Sequence, residues 1–208
     1  MKKIGGGLEF NVFLLNKATV LKRPTSKRQK QIILRRFYPN KTNQEIRRII
    51  LHAEKSLDYS QRNMSRHVLK RAPWILGNPV LLGNLKYTQD RAPVLGKYIQ
   101  SHSFDQNKTV LQSYVECIMN QWRLGFFHKV FNFTINYGID KNCSVILLDL
   151  GELTFSKDEV AILIKKKDWL TSWSYTSCKD IRLKRYYAEL LDAKLNLEVL
   201  NRLWKSRI

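Results

Sequence analysis

The sequence has few cysteines, few acidic residues and no long apolar run. Its three cysteines, Cys117, Cys143 and Cys178, lie far apart and form no CxxC pair, so neither a zinc site nor a disulfide framework is predicted. No apolar stretch reaches the roughly 18 residues of a membrane-spanning helix, and no secretion signal precedes the first motif. We therefore expect a soluble protein of the cytoplasm, without a transmembrane segment and in a reducing compartment.

Acidic residues are outnumbered by basic ones. The 208 residues include 17 acids against 37 lysines and arginines, which gives a formal net charge of +20. Such an excess favours a polyanionic partner, for example nucleic acid, a nucleotide or anionic lipid, although a merely solvated basic surface is an equal alternative. Dense clusters, one of them containing Lys165, Lys166 and Lys167, predict a basic face able to bind nucleic acid weakly.

The chain also lacks internal repeats and low-complexity tracts, and its length fits one domain or one domain of two lobes. Residues 2–24 predict strands around glycine and Asn-Lys turns, and Asn43 can cap an amphipathic helix. Residues 74–90 again predict short strands, and Pro93 marks a break. Beyond it, helices dominate, with a hairpin over 136–150. The predicted class is therefore α+β.

Three consecutive glycines are the first feature that suggests chemistry. Gly5, Gly6 and Gly7 lie between two predicted strands, where glycines let backbone amides approach phosphate oxygens and supply unusual φ angles. The spacing follows the kinase pattern G-x-G-x-x-G-x-V, except that Phe10 replaces the third glycine. A Walker loop is excluded because no GK[ST] follows and the next element is a strand.

Five further polar residues follow at places where they could contribute to a nucleotide site. Lys22 ends the next strand and could reach α- and β-phosphates, held by a helix carboxylate, first Glu45 and second Glu54. Asn136 precedes one strand of the predicted hairpin, and Asp149 follows the other. An amide oxygen and a carboxylate on adjacent strands can share one Mg²⁺ that bridges phosphates. A plain hairpin with an Asn turn residue and an Asp cap is the alternative.

In this order the residues resemble the protein-kinase-like superfamily over roughly residues 4–155. The motifs that carry the resemblance are Gly5–Val12, Lys22, Glu45, Asn136 and Asp149-Leu150-Gly151. Within the superfamily, the chain most resembles the small bacterial YrbL family, the PhoP regulatory network proteins. Its length, "EIRR" at 45–48, "DLGELT" at 149–154 and the basic, Trp-containing tail carry that second resemblance.

The resemblance implies a two-lobed protein-kinase-like fold. It places a strand-rich N-lobe with one key helix over residues 1–92 and a small, mostly helical C-lobe over residues 93–208. It also implies ATP and Mg²⁺ as cofactors, with Gly5, Gly6, Gly7, Lys22 and Glu45 binding the nucleotide and with Asn136 and Asp149 as metal ligands and catalytic residues. The substrate would be an unknown protein or small molecule.

The chain departs from the kinase pattern at the catalytic base. The Asp that kinases carry five residues before the metal-binding Asn is Phe131 here, and we expect its side chain to pack inward. His128 or Asn132 could substitute as the base, although a lone His is more often structural. Three functions stay open: an ATP/Mg²⁺-dependent phosphotransferase with an atypical catalytic loop, a pseudokinase or regulatory nucleotide-binding protein, and a basic nucleic-acid-binding protein.

Overall fold

The computed structural model describes residues 1–205. The first 90 of these residues contain all strands of a five-stranded antiparallel sheet. The strands are β1 (Lys2–Gly6), β2 (Phe10–Leu14), β3 (Thr19–Pro24), β4 (Val80–Gly83) and β5 (Lys86–Asp90). Their order in the sheet is β1-β2-β3-β5-β4. The alternating apolar residues of β2 and β3 predict this pairing, and Val20 and Leu21 of the central strand are buried.

Two helices are inserted between β3 and β4 in sequence, α1 (Lys27–Phe37) and α2 (Asn43–His67). Ile46 and Ile50 lie one helical turn apart on α2 and pack with Leu34 of α1 in a small cluster of their own. The cap of α2 is Thr42 rather than the predicted Asn43, because Thr42 and Glu45 form a capping box. Asn43 is the first helical residue.

Helices dominate the remainder of the described chain. They are α3 (Leu95–Ser101), α4 (Phe104–Arg123), α5 (Phe133–Asn136), α6 (Lys157–Lys166), α7 (Trp173–Thr176), α8 (Ile181–Lys194) and α9 (Leu197–Leu203). Two short antiparallel strand pairs lie among them. These pair β6 (Phe127–His128) with β9 (Leu153–Thr154), and β7 (Tyr137–Ile139) with β8 (Val145–Leu147). The predicted α+β class is confirmed, and β7 and β8 form the predicted hairpin.

The main core lies mostly among these helices and the hairpin. Trp122 and Trp169 are fully buried in it. The side chain of Trp173, by contrast, is 59% exposed. It begins α7, a helix of one turn, and such a helix is too short to bury a stripe of residues.

Both outer strands of the sheet leave an edge open to solvent. All residues of β1 are exposed, and its pairing with β2 is irregular between Lys3 and Gly5. On the opposite edge, the pairing of β4 with β5 is irregular between Leu81 and Gly83. Among the helices of residues 1–205, none combines the length and the apolar character that crossing a bilayer requires.

Candidate functional site

Lys22 lies on the central strand β3, and its side chain points to the helical part of the molecule. The side chain is only 8% exposed, and Nζ donates a hydrogen bond to the backbone oxygen of Leu148 at 2.5 Å. Burial lowers the pKa of the Lys22 ammonium to about 8, while the negative charges of Asp149 and Glu9 oppose that decrease. Lys22 therefore lies beside the Asp-Leu-Gly segment, 126 residues further along the chain.

Asn136 and Asp149 come together at the open end of the β7–β8 hairpin. The backbone oxygen of Asn136 accepts hydrogen bonds from Leu148 N at 2.8 Å and from Asp149 N at 3.2 Å. Asp149 Oδ1 accepts a hydrogen bond from Gly151 N at 3.0 Å, which orients its carboxylate. The backbones of Asn136 and Asp149 are thus in contact, and a metal shared by the two side chains stays a prediction.

The donor set is compatible with Mg²⁺ held jointly with phosphate. Within residues 1–205, no group of three or more His, Cys, Asp or Glu side chains is arranged to hold a metal ion. Mg²⁺ is usually bound by one or two carboxylates, with waters and substrate phosphates completing its octahedral shell. Asp149 and Asn136 supply hard oxygen donors of that kind, so they fit a metal that arrives with a nucleotide.

The glycine stretch forms the end of β1 and the start of a tight turn. Gly5 and Gly6 pair with Val12 and Asn11 of β2, and Gly7 N donates to Phe10 O at 2.8 Å. Among the described residues, left-handed glycines are confined to other positions, so the expectation of unusual φ angles at Gly5, Gly6 and Gly7 is wrong. A Cβ atom at Gly7 would meet open space.

Hydrogen bonds from Thr25 and the packing of Phe10 hold the glycine turn in place. Thr25 donates from Oγ1 to Gly7 O at 2.9 Å and from its backbone N to Glu9 O at 2.8 Å. Phe10, which stands where the kinase pattern has its third glycine, is buried edge-on against the Tyr87 ring, with centroids 5.1 Å apart. This aromatic contact anchors the turn to the core of the sheet.

The expected pairing of Lys22 with a helix carboxylate is wrong. Within residues 1–205, the hydrogen bonds and ion pair of Glu45 go to Thr42 and Lys41, and hydrogen bonds from Thr42 lower the pKa of its carboxyl group. Its side chain is 44% exposed, whereas Lys22 is buried. The second choice, Glu54, instead pairs with Lys30 at 3.3 Å and with Lys27 at 3.7 Å.

The acid that sequence reasoning missed is Glu9, in the glycine turn itself. Its carboxyl group lies against Gly151 and beside Asp149, and its Oε2 atom is buried. Burial and then the charge of Asp149 raise the pKa of Glu9 to about 10, so a protonated Glu9 can donate to Asp149. An acid two residues after the last glycine was the available signal.

A second residue missed by the sequence reasoning fixes the Asp-Leu-Gly segment. Ser60, fully buried in the middle of α2, donates from Oγ to Gly151 O at 2.5 Å and accepts from Leu153 N at 3.0 Å. Ser56, one helical turn earlier, also donates to Gly151 O, at 3.4 Å. Helix α2 is therefore joined to the segment by hydroxyl groups, not by a glutamate–lysine pair.

Phe131 and the two candidate replacements for the catalytic base are either buried or already hydrogen-bonded. Phe131 is 2% exposed, which confirms that its side chain packs inward. His128 is fully buried and its Nδ1 lies 3.0 Å from Val130 O. Asn132 Oδ1 accepts a hydrogen bond from Ser174 N at 3.3 Å. These placements do not favour His128 or Asn132 as a base that reaches a bound substrate.

The basic clusters are exposed at several places on the surface. Lys165 and Lys166 face solvent at the end of α6, whereas Lys167 pairs with Asp192 at 2.7 Å. On α1, an open cleft of about 590 Å³ is lined by Arg28, Gln31, Ile32, Arg35 and Arg36. One continuous basic face that includes the three lysines stays a prediction.

Comparison with known proteins yields a distant structural similarity. No protein-family model matches the sequence, and no curated protein matches it. One similar solved structure is the co-crystal structure of WbdD and the kinase inhibitor LY294002, with 13% sequence identity and a TM-score of 0.45. The match covers 93% of this chain and 46% of that one, so the chain spans less than half the length of the WbdD chain.

Proposed function

We propose that the protein binds ATP with Mg²⁺ at Lys22, Asn136 and Asp149 and acts as a phosphotransferase of kinase-like, two-lobed fold. The observation that supports this most is that Lys22 lies beside a hairpin end formed by Asn136 and Asp149, which are far from it in sequence. Lys22 Nζ donates to Leu148 O, and the residue after Leu148 is Asp149, whose backbone N donates to Asn136 O. A plain hairpin would not need a buried lysine beside its open end.

The order of elements adds to this support. A glycine turn joins β1 to β2, the lysine follows on β3, and a long helix precedes the last two strands of the sheet. Kinase-like proteins use the same sequence of parts around ATP, with a strand lysine and a metal-binding Asp in D-x-G. The division into an N-lobe over residues 1–92 and a C-lobe from residue 93 stays a prediction, as does membership of the YrbL family.

Each residue has a specific task in this proposal. The Lys22 ammonium would bind phosphate oxygens, and the amides of the glycine turn would cover them. Asp149 and Asn136 would hold Mg²⁺, which supplies neutralisation of charge on the phosphates during transfer. Ser60 keeps the backbone of the Asp-Leu-Gly segment in place through Gly151 and Leu153.

A pseudokinase is the second candidate, and the burial of Phe131 favours it. General base catalysis typically contributes about 10²–10⁴-fold, and neither His128 nor Asn132 is placed to provide it. Positioning and charge stabilisation supply most of phosphoryl transfer, so loss of the base predicts slow transfer rather than none. The two candidates therefore differ in turnover and agree on binding.

A thermal-shift titration with ATP and Mg²⁺ tests the binding step. A ligand at 100 times its dissociation constant adds about 2.7 kcal/mol to the free energy of unfolding. We expect Asp149→Ala to lose the metal-dependent part of this gain and Asp158→Ala, at an exposed aspartate of α6, to retain it. A wild-type melting temperature that ignores millimolar MgATP would refute nucleotide binding at this site.

Turnover of radiolabelled ATP then separates the two candidates. A slow transfer that is lost in Asp149→Ala supports the phosphotransferase. MgATP binding without transfer to water, protein or small hydroxyl acceptors supports the pseudokinase. Fast turnover that disappears in His128→Ala would show that His128 is the base after all.

A further inference from the structure

The glycine turn directs the Glu9 side chain into the proposed phosphate site. Thr25 N holds the backbone oxygen of Glu9 at 2.8 Å, and the next residue, Phe10, is buried against Tyr87. The chain on both sides of Glu9 is therefore fixed, and the carboxyl group reaches across to Gly151. Its Oε2 atom is buried there, within the part of the chain that the structure describes.

Gly151 is the residue that makes room for this carboxyl group. A Cβ atom built on Gly151 would overlap Glu9 Oε1, Oε2 and Cδ, and these are its three nearest neighbours. The backbone of Gly151 is itself fixed, because its oxygen accepts from Ser60 Oγ and its nitrogen donates to Asp149 Oδ1. The Glu9 carboxyl thus fills a defined space in the Asp-Leu-Gly segment.

The charges around Glu9 belong to the same site. Asp149 and Glu152 repel an ionised Glu9, and Lys30 attracts it. Negative charge on Asp149 and on an ionised Glu9 raises the pKa of Lys22. A phosphate chain that reached Lys22 and Asp149 would have to enter the space beside Asp149 and Gly151 that the Glu9 carboxyl fills.

We infer that the Glu9 side chain is a built-in competitor for the phosphate end of the nucleotide and must leave Gly151 before phosphates contact Lys22 and Asp149. This inference rests on the proposed nucleotide site and describes its regulation. Only molecules with the turn open can bind, so the apparent dissociation constant equals the intrinsic constant divided by the open fraction. Minor open states are typically populated at about 0.1–10%, so closure weakens binding by roughly tenfold or more.

MgATP affinity of four proteins tests the competition. By isothermal titration calorimetry, Glu9→Ala should bind MgATP roughly tenfold or more tightly than wild type, because the competitor is removed. Glu9→Gln, which has the same shape, should resemble wild type. Glu152→Ala removes a neighbouring acid without opening the turn and should also resemble wild type. If Glu9→Gln and Glu152→Ala gain as much as Glu9→Ala, the effect is charge alone and the inference is wrong.

A measurement without nucleotide separates this inference from the proposed function. Acetic anhydride at about pH 8 acetylates accessible amines, and peptide mass spectrometry reports Lys22 against exposed Lys165. We expect Lys22 to react several-fold faster in Glu9→Ala than in wild type, Glu9→Gln or Glu152→Ala. An equal rate in all four proteins overturns the inference whether or not ATP binds. If Lys22 is labelled faster in Glu9→Ala but MgATP does not bind, Glu9 still covers Lys22. Both the nucleotide site and the competition are then refuted.

Gly151→Ala provides an independent variant. Its added methyl group takes the space of the Glu9 carboxyl, which is the far end of a flexible side chain and can move away. Lys22 acetylation in Gly151→Ala should therefore increase as it does in Glu9→Ala. Unchanged acetylation of Lys22 in a folded Gly151→Ala protein would contradict the position of the Glu9 carboxyl against Gly151.

Discussion

Replacing Phe131 by Asp would restore the acid that protein kinases carry in the catalytic loop, and we expect this change to destabilise the fold. Phe131 is 2% exposed and belongs to the main core. Its ring centroid lies 5.2 Å from that of Phe127 and 5.6 Å from that of Trp169. An aspartate here would therefore enter an aromatic cluster rather than a water-filled cleft.

The expected loss follows from two costs. Removing a buried Phe side chain costs about 3–5 kcal/mol, and placing a carboxyl group among apolar side chains without a partner adds to it. Domains are usually stable by about 5–15 kcal/mol, so the variant would lose a large part of its stability. For a chain of this size each kcal/mol corresponds to about 2–4 °C, which predicts a melting temperature lower by about 6–20 °C.

Circular dichroism melting of wild type, Phe131→Asp and Phe131→Leu measures this effect. The leucine variant keeps an apolar side chain and should lose much less than the aspartate variant. A phosphotransfer assay of Phe131→Asp is informative only below its own melting temperature. If Phe131→Asp melts within about 2 °C of wild type, the aromatic packing argument is refuted and an acid can be accommodated at this position.

Three further outcomes are expected. A thiol reagent at neutral pH should label exposed Cys143 in the native protein and Cys117 only after unfolding, since burial raises the pKa of the Cys117 thiol to about 12; native labelling of Cys117 would contradict its burial. The pKa of Lys22 is about 8 in the folded protein, against an ordinary value of 10.5. Between these pH values the unfolded chain binds more protons at Lys22 than the folded chain does, so the contribution of Lys22 to the free energy of unfolding increases as the pH rises. The raised pKa of Glu9 acts in the opposite direction over much of this range in both proteins, so the test is a difference. Between the two ends of the range, the free energy of unfolding by urea should change more favourably in wild type than in Lys22→Met, and equal pH dependence would refute this. Retention on heparin should decrease steeply with salt if the charge of +20 acts through phosphate-like contacts, and retention that ignores salt would indicate a specific site instead.

Local patterns predicted the site residues that depend on neighbours in sequence. The apolar spacing of α2 and the strand–turn–strand pattern of the hairpin are set by short-range periodicity. Because a hairpin returns the chain to its starting point, Asn136 and Asp149 had to meet. That part of the site was therefore accessible without a structure.

The partners of Lys22 depended on packing that no local pattern encodes. The sequence Thr42-x-x-Glu45 is itself a capping-box signal, so Glu45 was already committed to the start of its helix. Which acid then lies near a strand lysine is decided by how the glycine turn folds over the Asp-Leu-Gly segment. That placement depends on Thr25, Phe10 and Gly151, which come from three separate stretches of the chain.

The open edges of the sheet bear on how copies of this protein meet. An unpaired edge strand is a template for a strand from another molecule, and bulges and lysines are the usual means of preventing such pairing. Here both edge strands pair irregularly with their neighbours, and β1 carries Lys2 and Lys3. Two β1 edges that approached each other would place these lysines side by side, so electrostatic repulsion between identical edges protects the protein from aggregation, and salt weakens that protection.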